Sequence, residues 1–296
     1  MPNSTVYQIG DASVTRVTDI VLDQFAPERL FLNWDRNLPL SHPEWMLPGT
    51  MSSDGSHVLL SIHTWVIRHQ GRVIVVDTGA GNNKHRPHAA YFDHLQTDYL
   101  GRLAAIGLRP ENVDVVLTTH LHVDHVGWNT RLESGSWVPT FPNARYFFSK
   151  LEHQHYNDPI NHNERNRTSF QVQQDSVNPI IDAGLATLLD AGDTEPVSGF
   201  TLYPTPGHSP GHVSIIFRSA GDTALFSGDI VHHPLQVFAP ETMSVFDANA
   251  ELAIRARRWG LNFAADHDAL LFSPHFADSS VGRVIHSGND FAWEFI

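Results

Sequence analysis

The stretch TTHLHVDHVGW, Thr118 to Trp128, sets His120, His122, Asp124 and His125 within six residues. It follows ENVDVVL, residues 111–117, whose apolar run reads as a buried strand. Just past a strand, a loop can turn side chains inward. Alternation lets His120 and His122 point together while Asp124 and His125 turn to a second position. Imidazole and carboxylate together suit a borderline divalent ion. Three downstream stretches repeat this design of a His or Asp just after an apolar run. FTLYPTPGHSPGH offers His208 and His212, TALFSGDIVHH offers Asp229 with His232 and His233 behind it, and ALLFSPHF offers His275. Strand ends gathered along one edge are where side chains from distant sequence can converge.

Histidine is abundant, with 20 in 296 residues, so isolated pairs arise easily by chance. His42, His57, His63, His69, His85, His88, His94, His153, His155, His162, His267 and His286 are therefore read as surface or core residues rather than ligands. There are no cysteines. Disulfides, iron–sulfur clusters, thiolate zinc sites and cysteine nucleophiles are excluded together, and a metal must be held by His and carboxylate. The balance of 19 Lys+Arg against 32 Asp+Glu, a net charge of -13, argues against a nucleic-acid partner, which calls for a basic surface. No basic leader precedes an apolar segment, and no apolar run approaches the roughly 18 residues of a membrane span. The expectation is a soluble cytoplasmic protein with no membrane partner.

Along the chain, Val14–Val21 alternates as a strand, and Val58–Arg68 with Arg72–Asp77 reads as a hairpin around HQG. Between them, at about 25–57, lies an excursion rich in Pro, Trp, Leu and Phe. It is too apolar for a solvated loop and too punctuated for one helix, and it is expected to cover a pocket or a partner subunit. A helix is expected over His88–Ile106, ended by Gly107 and Pro110. Strands follow at Val113–Thr118 and Ala144–Ser149, with a helix opening at Lys150–His155. Thr201–Pro204, His212–Arg218, Thr223–Ser227 and Leu270–Ser273 read as further strands, Ala248–Trp259 as an amphipathic helix, and the C-terminal RVIHSGNDFAWEF as one or two strands. Hairpins mixed with helices suggest two sheets with helices on their outer faces.

Taken in order, VDTGAG, THLHVDH, PGHSPGH, FSGDI and SPH resemble the metallo-β-lactamase fold superfamily over nearly the whole chain. The resemblance implies an α/β fold, an αββα sandwich in a single domain spanning residues 1–296. Carried over by position, it implies that His120, His122 and His208 hold one metal and Asp124, His125 and His275 a second. Asp229 would bridge both, with Asp77 and His212 behind the ligands. Two divalent ions are implied, zinc first, with manganese, iron or cobalt as alternatives. Cations about 3.5–4 Å apart would generate a bridging hydroxide and polarise a carbonyl or phosphoryl oxygen. Asp124 and Asp229 would thus serve the chemistry as well as the metals.

Within the superfamily, the excursion and the stretch PTFPNARYFFSKLE are similar to the lactonase and esterase branch and the related methyl parathion hydrolases. The expected activity is hydrolysis of a small neutral lactone or carboxylic ester. The alternatives are phosphotriester hydrolysis and a ligand-sensing role without catalysis. Homodimers are common in that group, so a homodimer is expected. In its acyl-homoserine lactonases a tyrosine stands three residues after the bridging aspartate. Here that position is His232, a candidate proton donor to the leaving oxygen. Phe25, Phe31, Trp34, Trp45 and Trp128 are candidates for an apolar pocket wall.

Overall fold

The computed structural model describes residues 5–46, 49–190, 192 and 195–296. The chain packs as two compact units, one of Met1–Ile20 with Ile62–Asp193 and the other of Val21–Ser61 with Thr194–Ile296.

The first unit is built on a seven-stranded sheet. Its strands are β1 (Val6–Ile9), β2 (Ala12–Phe25, in this unit as far as Ile20), β3 (Val58–His69, in this unit from Ile62), β4 (Arg72–Val76), β5 (Val115–Leu117), β8 (Arg145–Ser149) and β9 (Ala186–Leu189), side by side in that order. A two-stranded ribbon, β6 (Thr130–Glu133) and β7 (Ser136–Pro139), stands apart from it. The β3–β4 hairpin is antiparallel, with His69 opposite Arg72 across Gln70 and Gly71, both at positive φ. From β4 onward the neighbours β5, β8 and β9 run parallel. Parallel strands covered on both faces read as unbroken apolar runs, and Ile74–Val76 and Val115–Leu117 are buried throughout. Val66, Val75, Val116, Tyr146 and Phe148 pack with Tyr99, Leu103, Val172 and Ile180 in this unit's core.

The helix expected over His88–Ile106 is confined to Tyr99–Ala105. Upstream of it, polar side chains take the backbone partners a helix would need. The Arg86 N–H donates to Asp93, and the Thr97 N–H donates to Asn82, whose amide donates back to the Thr97 carbonyl. The main chains of 83–84 and 94–95 also pair, with Asn83 N–H to Leu95 and His94 N–H to Lys84.

The second unit carries a six-stranded sheet in sequence order. Its strands are β10 (Phe200–Pro204), β11 (Val213–Ser219), β12 (Asp222–Phe226), β13 (Leu270–Phe272), β14 (Val281–Ser287) and β15 (Asp290–Phe295). All neighbours are antiparallel except β12–β13, and that parallel pair needs a crossover, supplied by the helix Ala250–Asp266. Asn249 caps this helix by accepting the Leu252 N–H. On its buried face Ala256, Leu261 and Ala264 pack with Leu225, Leu271 and Trp293. A Cβ on Gly260 would lie 2.3 Å from Ile230 Cδ1, so the Ile230 side chain would have to shift to admit one.

The apolar excursion belongs to this second unit and forms short turns of helix at Pro27–Leu30, Leu38–Ser41 and Pro43–Trp45. Leu47 and Pro48 within it lie outside the described residues. The excursion is anchored where Phe31 bridges Ser244, with Leu32 N–H to Met243 and Val245 N–H to Leu30. No helix among the described residues is long and apolar enough to cross a membrane.

Candidate functional site

In the first unit the site begins at Asp77, just past β4, in the left-handed backbone region at φ 54. Asp77 is buried and accepts three hydrogen bonds: from the Thr119 N–H (2.8 Å), the Thr119 hydroxyl (2.8 Å) and the His125 ring through Nδ1 (2.9 Å). Because the Thr119 hydroxyl donates to Asp77, its oxygen accepts from His120 Nδ1 at 3.1 Å. One carboxylate thereby fixes the tautomer of two histidines, leaving Nε2 of each as the electron-pair donor. His120 Nε2 lies 3.0 Å from His122 Nδ1, and the far nitrogen of His122 meets the Tyr156 hydroxyl at 2.8 Å. Asp124 Oδ1 stands 3.8 Å from His125 Nε2. The loop that carries these groups is held from below by Glu152, whose buried carboxylate accepts the Leu121 N–H.

This loop is also fastened to the segment after Asp77. Thr78 N–H donates to His125, Trp128 N–H to Thr78 and Gly127 N–H to Gly79. The two main chains approach so closely that a Cβ on Gly127 would lie 1.9 Å from the Ala80 carbonyl, and one on Gly81 would lie 2.6 Å from Gly127. Asp19 closes the same region. It accepts from Ala80 N–H, from the Trp128 indole and from the Thr97 hydroxyl. Trp128, expected at a pocket wall, is thus a core residue of this unit, 4% exposed and stacked on Tyr99.

In the second unit the centre is Asp229, 3% exposed, in the turn after β12. Three imidazole nitrogens crowd its carboxylate. His208 Nε2 is 3.2 Å from Oδ2, His232 Nε2 is 3.3 Å from Oδ2, and His275 Nε2 is 3.0 Å from Oδ1. The His275 ring is turned by the Ser61 carbonyl, 3.0 Å from Nδ1. A carbonyl can only accept, so Nδ1 carries a proton, and Nε2 is the nitrogen left to face Asp229. At 3.0 Å the two can share either a proton or a cation.

His212 sits behind this group with both nitrogens committed to the scaffold. Its Nε2 accepts the Asp229 N–H (2.8 Å), and its Nδ1 lies 2.8 Å from the Thr205 hydroxyl. His233 is likewise engaged on both sides, by the Thr50 carbonyl and the Leu235 N–H, and burial pushes its pKa down to about 4. Burial also lowers the His232 pKa, although Asp229 opposes the shift.

Asp247 was not among the expected site residues. It lies 3.4 Å from His208 Nδ1 and 3.5 Å from the Arg257 guanidinium. Burial raises its pKa, but His208, His232 and Arg257 more than offset this and hold it below the usual carboxylate range. Arg257, fully buried, donates to the carbonyls of Ile230, Pro240 and Thr242, tying the Asp229 turn to the long helix. The Ser149–Glu152 spacing carried a signal that was missed. It is the pattern of a helix-capping box, and Ser149 does cap the helix Lys150–Asn157, while Glu152 reaches the metal loop instead. No comparable pattern marks Asp19, Tyr156 or Asp247.

Of the expected pocket aromatics in the second unit, Phe31 stacks on Trp34 and meets His233 edge-on, while Trp45 stacks between His42 and Phe238. Phe25 packs edge-on against Phe246.

Both clusters suit bound divalent ions: the donors are buried nitrogens and carboxylate oxygens, oriented by partners on their far sides. Residues 58–275 match the model of the Metallo-beta-lactamase superfamily. The N-acyl homoserine lactonase AttM of Rhizobium radiobacter is 24% identical over 238 residues, 76% of this chain and 86% of its own length. A crystal structure of the hydrolase AbOPH, in the beta lactamase superfamily, superposes with a TM-score of 0.82 at 27% identity, covering 99% of this chain and 97% of that one. The dizinc quorum-quenching lactonase AidC shares the fold, with a TM-score of 0.80 at 20% identity over 99% of this chain and 97% of its own. The metal-loop motif, the mixed sheets and the family match agree: this chain belongs to the metallo-beta-lactamase superfamily of hydrolases and carries its mixed α/β fold as a single domain.

Proposed function

We propose that this protein hydrolyses a small neutral lactone or carboxylic ester with a pair of divalent metal ions. His120, His122 and His208 hold one ion, Asp124, His125 and His275 hold the other, and Asp229 is shared between them. The observation that carries this reading is the orientation of His275. Its Nδ1 proton is committed to Ser61, which leaves Nε2, 3.0 Å from the Asp229 carboxylate, as the nitrogen able to share a divalent ion with it. His125 is set the same way by Asp77. When bound, two such ions supply a hydroxide nucleophile near neutral pH and polarise the substrate carbonyl.

The remaining steps belong to the chain. Asp77 and Thr119 hold the His120 and His125 tautomers, and His212 fixes the backbone at Asp229. His232 delivers a proton to the leaving oxygen. Phe31, Trp34 and Trp45 offer an apolar wall that favours a neutral acyl group over an anion. The lactonase relative favours a lactone over the phosphotriester alternative. The protein acts as a homodimer in the cytoplasm.

The test combines elemental analysis of protein never exposed to chelator with turnover of lactones, aryl esters and phosphotriesters. Two ions per chain and preferential lactone or ester turnover are expected. One ion or none, or turnover of phosphotriesters alone, overturns the proposal.

A further inference from the structure

His85 and His94 read from sequence as filler, but the loop at 83–95 brings them together. His85 Nδ1 lies 3.3 Å from His94 Nε2, a distance long for a hydrogen bond between them. Asp93 Oδ1 lies 3.4 Å from the first nitrogen and 3.8 Å from the second. We propose that His85, Asp93 and His94 form a surface site for one divalent transition-metal ion, with zinc as the best-matched species.

The geometry supports this directly. With metal–nitrogen bonds of about 2.05 Å, nitrogens 3.3 Å apart subtend about 107° at the ion, close to the tetrahedral angle. The carboxylate oxygen, at a similar bond length, makes angles of about 110° and about 130° with the two nitrogens. Three donors thus occupy three corners of a distorted tetrahedron. Both imidazoles are largely exposed, with side chains 65% and 63% accessible, so water completes the fourth.

The donors are presented by a stiff frame. The Arg86 N–H donates to Asp93 Oδ1, and this bond is the main reason its carboxyl titrates below the usual range, so the acid is ionised whenever the imidazoles are neutral. Next to these donors, the Arg86 side chain is buried and makes a bidentate pair with Asp175 at 2.6 and 2.7 Å. Lys84, also buried, donates to Thr130 and to the Asp175 carbonyl. His94 N–H closes onto the Lys84 carbonyl, with His94 held at φ 50. The histidines therefore stand on a loop whose main chain is fixed from beneath, and little further ordering is needed to bind.

The test titrates zinc chloride calorimetrically into the protein as purified, with its resident ions in place. It is run in parallel on the His85→Ala/His94→Ala double variant, whose changes fall on exposed side chains, and folding is checked by circular dichroism. The wild type is expected to take up one more ion per chain than the double variant. Asp93→Asn, which keeps an oxygen for the Arg86 N–H, should bind that ion weaker by about ten-fold or more. Copper(II) offered in place of zinc should give an electron paramagnetic resonance signal with coupling to two imidazole nitrogens. That signal should be absent from His85→Ala alone, which serves if the double variant fails to fold. Equal zinc uptake by wild type and double variant, no uptake by the wild type, or a copper signal unchanged by His85→Ala overturns the proposal.

Discussion

Asp77→Asn is the most informative single change in the first unit, because it keeps the shape of the side chain and alters only which groups it can accept from. The amide oxygen can still accept the Thr119 N–H at the Oδ1 position. At the Oδ2 position an NH2 now confronts the His125 Nδ1–H and the Thr119 hydroxyl. Two donors cannot face each other, so His125 moves its proton to Nε2, the nitrogen proposed to hold a metal. One hydrogen bond to a charged group is worth about 1.5–3 kcal/mol. At about 1.4 kcal/mol per tenfold, metal retention should fall by roughly 10–100-fold, the range found when outer partners of metal-bound histidines are removed. Competition against a chromophoric chelator measures this, and a thermal melt of the metal-free protein separates the effect from loss of folding. Thr119→Val should give a smaller loss, because it breaks the relay to His120 while leaving His125 on Asp77. If Asp77→Asn held both ions with wild-type affinity, the tautomer argument would be refuted.

His212→Ala should lower stability by about 1–3 kcal/mol through the unsatisfied Asp229 N–H, yet retain metal, whereas His208→Ala should lose an ion; urea unfolding and elemental analysis distinguish the two. His232→Ala should slow aliphatic lactones by about 10²–10⁴ while sparing activated aryl esters, whose leaving groups need no proton; equal losses on both would assign His232 to structure or metal binding. His233 should make stability fall with acid. Its pKa is about 4 when folded against 6.5 when unfolded, so between those values the unfolded chain takes up a proton the native state does not. Stability should decline from about pH 6.5 to pH 4 by up to about 3 kcal/mol, and urea midpoints of His233→Gln should vary less over that window than those of the wild type.

The sheets were legible because apolar runs of four to eight residues bounded by turn residues have few other uses in a chain of this composition. The loop at 120–125 was legible as a candidate metal site because its donors are packed into one short segment. The expected helix over 88–98 failed for a reason that periodicity cannot register. Asn82 and Asp93 spend their side chains on the backbone groups of Thr97 and Arg86 instead of leaving them to a helix. Asp19 and Asp247 escaped notice because a lone aspartate in a strand or loop looks the same whether it faces water or three buried donors. Trp128 was drawn to the pocket by its neighbours in sequence, but its indole N–H finds Asp19 and its ring finds Tyr99. The loop at 83–95 shows the converse. Two histidines nine residues apart have no visible pattern until backbone pairing brings them face to face.

The near-contact of the two main chains at Gly81 and Gly127 has a kinetic meaning. A joint with no side chain on either surface cannot be wedged apart or slid without breaking main-chain bonds, so the segment bearing Asp77 and the segment bearing His125 travel as one piece. Exchange of an ion held as proposed should therefore proceed without local melting of this joint. It also follows that the placing of His125 against Asp77 is written into the backbone. Altering how His125 is presented should then require moving the joint and not merely exchanging Asp77.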